Sequence, residues 1–183
     1  MPLIWILIAV AVVILFVFFL YYNRFVVLSN RIENSLSQIN VQLKRRADLI
    51  PNLIKTVRGF AKHEKAAIKA VTDARTTLLS AGNIESKIKA DAGLEKALKT
   101  IFALAEAYPD LKANTNFLEL QRELSTTEDR VAYSRQFYND SILSYNNMVQ
   151  KLPGNFFARL YGKKEKEYLK IAEVEKKVVK VEF

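Results

Sequence analysis

The sequence contains no cysteine among its 183 residues. Disulfide bonds, thiolate metal sites and cysteine nucleophiles are therefore excluded, and the redox compartment stays open. Glycine and proline are scarce, at five and four residues, which argues against an all-β fold with its many turns. The glycines are isolated, and none belongs to a Gly-x-Gly or Gly-Lys-Ser/Thr phosphate-binding loop. These absences favour a helical chain without thiol or nucleotide chemistry.

Histidine occurs once, at His63, and this removes most remaining catalytic patterns. A His-Glu-x-x-His zinc motif begins there, but Ala67 stands where the second histidine is required. A di-iron Glu-x-x-His pair fails too, because Phe60 precedes His63 by three residues. No nucleophile turn of the Gly-x-Ser-x-Gly kind is present. We therefore predict a protein that is not an enzyme, with no catalytic residues, no metal site and no cofactor.

Charged side chains are absent from the first 23 residues, and residues 3–20 are almost wholly Leu, Ile, Val, Ala and Phe. About 20 helical residues cover the roughly 30 Å hydrocarbon core of a bilayer. The run is too long for a signal peptide, has no basic residue before it and lacks a small-residue cleavage site. We expect residues 1–23 to form an uncleaved transmembrane anchor. Its membrane-interface candidates are Trp5, Tyr21, Tyr22 and Arg24.

The formal net charge of +9 lies entirely after residue 23. Because basic residues follow the anchor and none precedes it, the positive-inside rule predicts a single-pass protein of the inner membrane. Its N-terminus would lie outside and its C-terminal domain in the cytoplasm. The basic balance fits attraction to anionic lipid, whereas the charges are not clustered enough for nucleic acid. Membrane lipid is therefore the expected partner, and nucleic acid is not.

Apolar residues recur at spacings of three and four after the anchor, which is the pattern of amphipathic helices. The first stripe runs from Phe25 to Ile50 without Gly or Pro, so the anchor helix is expected to continue as a stalk. Pro51 should end or kink it, since proline lacks the backbone N–H. Gly82 is expected to cap the second helix and Asn116 the fourth. The later stripes predict helices over residues 53–78, 84–105 and 117–152.

Four such helices joined by short turns would each bury one apolar stripe in an antiparallel up-and-down bundle. The predicted fold class is all-α, with a transmembrane helix continuing into four bundle helices, or three if Pro51 only kinks the first. The bundle is expected over residues 24–152, and a membrane-proximal segment with a flexible tail over residues 153–183. Near-heptad spacing leaves self-association open.

Aromatic and basic residues mix after Pro153, at Phe156, Phe157, Arg159, Lys163 and Lys164. These residues either form an interfacial segment, with rings at the headgroup level and cations toward anionic lipid, or cover the end of the bundle. Beyond them, residues 179–183 are expected to fray, the alternative being a strand added to a partner's sheet.

A second basic cluster, Lys44, Arg45 and Arg46, is either a solvated helix face or an interaction patch that could grip phosphate or RNA. A solvated face with partners such as Asp48 is the default interpretation for such a run of charges.

Several blocks of this sequence resemble the bacterial LemA family. The specific one is Lys-Arg-Arg-Ala-Asp-Leu-Ile-Pro at residues 44–51, and others lie at residues 22–26, 57–61, 107–113, 120–130, 138–139, 145–146 and 152–154. The resemblance implies a small membrane-anchored helical bundle with its short N-terminal tail outside. It implies no established activity, cofactor or catalytic residue. Ala47 stands where many relatives carry histidine, so no histidine chemistry is expected there.

The expected function is a single-pass membrane protein that presents a helical-bundle scaffold to a protein partner at the membrane surface. A sharper version, an accessory to a membrane protease or envelope-stress system, rests on a loose association with the family. The alternative is a transmembrane sensor or signalling module that responds to a ligand or lipid.

Overall fold

A computed structural model describes residues 2–169, and this part of the chain is helical with no strand. The predicted all-α class is confirmed. The terminal residues 179–183, for which fraying or strand addition is open, lie outside the described residues. The helices are α1 (Pro2–Phe60), α2 (Lys65–Ser80), α3 (Ile84–Ala105), α4 (Pro109–Lys112), α5 (Thr115–Gln150) and α6 (Gly154–Leu160).

Helix α1 is 59 residues long and joins the apolar run to the stalk without a break, as predicted. Pro51 lies inside this helix, so of the two alternatives that the sequence left open, the one in which Pro51 ends the helix is excluded. The chain turns only after Phe60, and the next helix begins at Lys65 rather than near Leu53.

The continuation of α1 past Pro51 has a local physical reason. Without an N–H, Pro51 leaves the carbonyl of Ala47, four residues earlier, without its helical donor. The Nε–H of Arg75 on α2 donates a hydrogen bond to the Ala47 carbonyl oxygen at 2.9 Å. A side chain of the following helix therefore replaces the backbone donor that proline removes.

The chain forms two compact units, to which α1 and α5 both contribute. The described part of unit 1 comprises residues 2–36 and 136–168, and that of unit 2 comprises residues 37–135 and 169.

Unit 2 packs parts of α1 and α5 with α2, α3 and α4. Two helices of this unit begin at an asparagine cap. Asn83 forms a capping box with Ser86 at the start of α3. At the start of α5 the N–H of Phe117 donates to Oδ1 of Asn114 at 3.1 Å, so Asn114 and not Asn116 is the cap. Gly82 is not in the left-handed conformation of a glycine cap, and the C-cap of α2 is Ala81.

The buried apolar side chains of unit 2 follow the predicted apolar stripes. They include Ile39, Leu43, Ile50, Leu53, Val57, Val71, Leu78, Leu94, Leu98, Ile101, Leu124 and Val131.

Unit 1 packs α1 against the end of α5 and against α6. Ser35 and Ser141, both buried, bring the two long helices close, with their hydroxyl oxygens 3.3 Å apart. Each hydroxyl also donates to a backbone carbonyl of its own helix, at Arg31 and Phe137 respectively. The buried core of this unit consists of Phe25, Leu28, Ile32, Ile142, Tyr145, Phe157 and Ala158.

Candidate functional site

Aromatic side chains fasten α6 to α1 at the end of the apolar run. The ring of Phe157 stacks on Tyr21 with centroids 4.3 Å apart and meets Phe18 edge-on at 5.1 Å. Tyr161, the C-cap residue of α6, contacts Tyr22 and Phe25 edge-on. Such pairs contribute about 0.5–1.5 kcal/mol each beyond the area they bury. We call Phe18, Tyr21, Tyr22, Phe25, Phe157 and Tyr161 the aromatic cluster.

A hydrogen bond fixes the level of α6 along α1. The hydroxyl of Tyr161 donates to the backbone carbonyl of Phe18 at 2.8 Å. Because Phe18 belongs to the apolar run and Tyr21 directly follows its last residue, α6 lies where that run gives way to polar residues.

The opposite face of α6 is apolar and exposed. Phe156 and Leu160 are 58% and 56% exposed, and Leu152, just before the helix, is 83% exposed. Phe157 is buried in the unit 1 core, as expected of a residue that covers the end of the bundle, whereas Phe156 is exposed and stays a prediction for the membrane interface. Of the basic candidates, Arg159 and Lys164 are exposed and Lys163 is half-buried. Large exposed apolar residues with flanking cations are typical of interfacial segments.

The remaining interface candidates all lie on α1. Trp5 is 71% exposed near the start of the apolar run, and Arg24 is exposed one turn beyond Leu20. Tyr22 is half-exposed and Tyr21 is half-buried.

Gly154 allows the close approach of α6 to α5. A Cβ built on Gly154 would lie 2.2 Å from the backbone carbonyl oxygen of Met148. No side chain fits there unless the backbone shifts, which accounts for glycine in the Leu152-Pro153-Gly154 block.

A cavity of about 540 Å³ opens between α1, the end of α5 and the turn that precedes α6. We call it the interface cavity. From α1 it is lined by Leu20, Tyr21, Arg24 and Leu28. From α5 and the turn it is lined by Ser144, Asn147, Met148, Lys151, Leu152, Pro153 and Gly154.

Asn146 holds the chain after α6, a role that sequence reasoning missed. Its buried amide donates from Nδ2 to the carbonyl of Lys166 at 2.8 Å and accepts from the N–H of Lys166 at 2.9 Å. The ammonium of Lys166 lies 5.6 Å from the ring centroid of Tyr145, and burial raises the pKa of that tyrosine. The Tyr145-Asn146 block was the one available signal, because asparagine on a buried stripe needs polar partners.

The three basic side chains of residues 44–46 point to different partners in the structure. Lys44 is exposed and pairs with Asp48 at 3.5 Å, and Arg45 pairs with Glu123 at 2.9 Å. Arg46 is buried, with 1% of its surface exposed. The three side chains therefore do not form one exposed patch.

Arg46 joins three helices of unit 2. Its Nη1 donates to both oxygens of Asp91 at 3.0 and 3.1 Å, and its Nη2 donates to Glu128 at 3.1 Å. Burial raises the pKa of Asp91, and the Arg46 guanidinium opposes that rise. Burial, followed by the charge of Glu95, raises the pKa of Glu128. We call Arg46, Asp91 and Glu128 the arginine cluster.

His63 lies exposed in the turn between α1 and α2 rather than inside a helix. Within residues 2–169, no three His, Cys, Asp or Glu side chains are grouped as a metal site would require.

The fold and these sites define a class: an all-α protein that has, within residues 2–169, one helix long and apolar enough to cross a membrane. Residues 35–183 match the LemA family, and the chain belongs to that family.

Among its relatives, magnetosome protein MamQ 2 of Paramagnetospirillum magneticum is 28% identical over 173 residues, covering 80% of this chain and 64% of the relative. Magnetosome protein MamQ of Magnetospirillum gryphiswaldense is 27% identical over 173 residues, with the same coverage of 80% and 64%. Protein LemA of Metamycoplasma hominis is 28% identical over 125 residues, covering 66% of this chain and 55% of the relative. The chain thus spans less than two-thirds of the length of these curated relatives.

Proposed function

We propose that this chain is a single-pass inner-membrane protein that presents a helical scaffold to a protein partner at the membrane surface. The observation that carries the proposal is the aromatic cluster, which fastens α6 to the last turns of the apolar run. An anchor joined to its domain only by a loose linker would need no such contacts. Contacts that hold α6 against the end of the apolar run support the proposal that the helical scaffold has a fixed position at the membrane surface.

Within this proposal, residues 1–23 are the anchor, residues 24–152 the bundle and residues 153–183 the membrane-proximal segment with its tail. Trp5, Tyr22, Arg24, Phe156 and Arg159 contact the membrane interface. Lys44 and Arg45 remain as surface cations for a partner, whereas Arg46 holds helices of unit 2 together.

The orientation test uses the lack of cysteine. Ser80 and Ser125 are exposed, and each can be replaced by cysteine with no background labelling. In intact spheroplasts, an impermeant maleimide should leave Ser80→Cys and Ser125→Cys unlabelled until the membrane is opened. Pro2→Cys is the matched control and should label at once. Labelling of residues 80 and 125 in intact spheroplasts would contradict the cytoplasmic orientation.

The scaffold role is tested by purification of the full chain in detergent. A membrane protease or another membrane protein should co-purify reproducibly, and Lys44→Glu together with Arg45→Glu should weaken that association if the surface cations contact the partner. Repeated isolation of the chain without any partner would contradict the scaffold role. The magnetosome role named for two relatives is not carried over, because identity is 28% or less and coverage is partial. Nothing within residues 2–169 specifically favours a sensor.

A further inference from the structure

We propose that the interface cavity binds an anionic phospholipid, with the headgroup phosphate held by Arg24 and Lys151 and an acyl chain lying along Leu20 and Leu152. The inference rests on the membrane anchoring proposed above and adds a specific ligand to it.

The walls of the cavity follow from helix geometry. Leu20, Arg24 and Leu28 are spaced by four residues, so they lie on one face of α1. Ser144 and Asn147 lie one turn apart on the facing side of α5, and Lys151 follows directly after the end of that helix. The turn at residues 152–154 closes the end beside α6. The volume of about 540 Å³ is in the range of cavities that bind small organic ligands.

The charge of the lining selects an anion. Arg24 and Lys151 both line the cavity, and no carboxylate is among its described lining residues. Neither side chain has an ion-pair or hydrogen-bond partner within residues 2–169, whereas Lys44, Arg45 and Arg46 are all paired with acids. Two unpaired cations that share one cavity repel each other, and a phosphate between them removes that repulsion. The amide of Asn147 adds hydrogen-bond donors to the same wall.

The position of the cavity distinguishes a lipid from a soluble anion. Leu20 ends the apolar run, and Arg24 follows about 6 Å further along α1. That order matches a phospholipid, whose phosphate lies a few ångströms above its acyl chains. Leu152 extends the apolar part of the lining and is itself largely exposed. A soluble phosphate would need the two cations but would gain nothing from Leu20, Met148 and Leu152. Basic sites of this kind beside membrane helices bind anionic headgroups.

Native mass spectrometry of the full chain, released from mixed micelles of phosphatidylglycerol and phosphatidylcholine, tests the proposal. We expect preferential retention of phosphatidylglycerol. Arg24→Gln together with Lys151→Gln should reduce that retention by about tenfold or more, since each basic residue near an anionic surface contributes about a fivefold gain in affinity. Arg58→Gln together with Lys62→Gln is the matched control, because these cations line a separate cavity in unit 2, and it should leave retention unchanged. Lys151→Arg should retain the lipid.

Equal retention of the two lipids, or an equal loss in the control variant, would overturn the proposal. Displacement of phosphatidylglycerol by millimolar inorganic phosphate would assign the cavity to a free anion and overturn it as well. Circular dichroism of the double variant verifies that it is folded. The maleimide experiment reports separately on orientation. If the unaltered chain shows no preference for phosphatidylglycerol while residues 80 and 125 are protected, the result counts against this lipid site alone. A lipid preference with those residues labelled in spheroplasts counts against the orientation alone.

Discussion

At the scale of single residues, the arginine cluster shows how burial changes the meaning of a basic side chain. Removing one partner of a buried ion pair leaves an uncompensated charge, which costs about 3–5 kcal/mol, whereas an exposed pair contributes about 0–1 kcal/mol. We therefore expect Arg46→Met to lower the free energy of unfolding by several times more than Arg45→Met. Urea unfolding of the full chain in micelles, followed by circular dichroism, measures both. Equal small losses would show that Arg46 is not buried in solution.

Asp91 gives a pH-dependent prediction. Burial raises its pKa in the folded chain above the unfolded value of about 4. The folded state therefore binds this proton more tightly, so the contribution to stability is full below pH about 4 and is lost as pH rises through the folded pKa. We expect the cost of Asp91→Asn, measured by urea unfolding, to shrink as pH increases from 4 to 7. If the cost of Asp91→Asn instead grows from pH 4 to 7, the pKa of Asp91 is lowered in the folded chain and the prediction is wrong.

Two glycines provide a matched pair. An alanine Cβ at position 154 would collide with the Met148 carbonyl, and overpacking of this kind costs about 1–3 kcal/mol. At Gly93, inside α3, a Cβ meets nothing within 4 Å, so alanine should stabilise the helix by up to about 1 kcal/mol. Thermal unfolding should therefore shift down for Gly154→Ala and up for Gly93→Ala. Shifts of the same sign would contradict the close approach of α6 to α5.

At the scale of helices, the sequence predicts an element correctly where its bounds depend only on neighbouring residues, such as the spacing of apolar side chains and the residues at the helix ends. Helix α3 was predicted over its full length, because the stripe from Ile84 to Ala105 is bounded by Asn83 and by Pro109. The sequence leaves open whether Pro51 ends α1 or only kinks it, because the donor that satisfies the Ala47 carbonyl comes from Arg75, 28 residues away. The partners of Asn146 and Arg46 could not be predicted for the same reason. The spacing of apolar residues along a helix does not reveal which polar group, distant in sequence, will bind a buried polar side chain.

The repair at Pro51 can be tested by a double-mutant cycle. Arg75→Met removes the donor to Ala47 and should lower the free energy of unfolding by about 1 kcal/mol, the net contribution of a typical hydrogen bond. In a Pro51→Ala background the backbone N–H returns, so the same substitution should cost clearly less. Urea unfolding of the four proteins gives the coupling. Equal costs of Arg75→Met in both backgrounds would show that the contribution of Arg75 to stability does not depend on Pro51.

At the scale of the whole molecule, the apolar run of residues 3–20 is the feature to which the described helices relate. The apolar run is long and apolar enough to cross a membrane, and the contacts of Phe157 and Tyr161 with Phe18, Tyr21 and Tyr22 bring residues 157–161 back to the end of that run. The family resemblance agrees with the helical fold, but it names no partner. The function proposed above therefore depends on which surface faces lipid and which faces a protein partner, and both can be measured.

The exposed apolar side of α6, which we propose to face lipid, gives the last prediction. Trp5 is the one tryptophan, so Trp5→Phe provides a background in which single tryptophans report their depth. Interfacial helices bury their apolar face about 5–10 Å into the headgroup region. In vesicles containing brominated lipid, Phe156→Trp should therefore be quenched at least about twice as strongly as Leu143→Trp. Both native side chains are about half-exposed, but Leu143 lies about 11 Å from the end of α5 along its axis. Equal quenching at the two positions would place α6 outside the interface and leave the aromatic cluster with a packing role only.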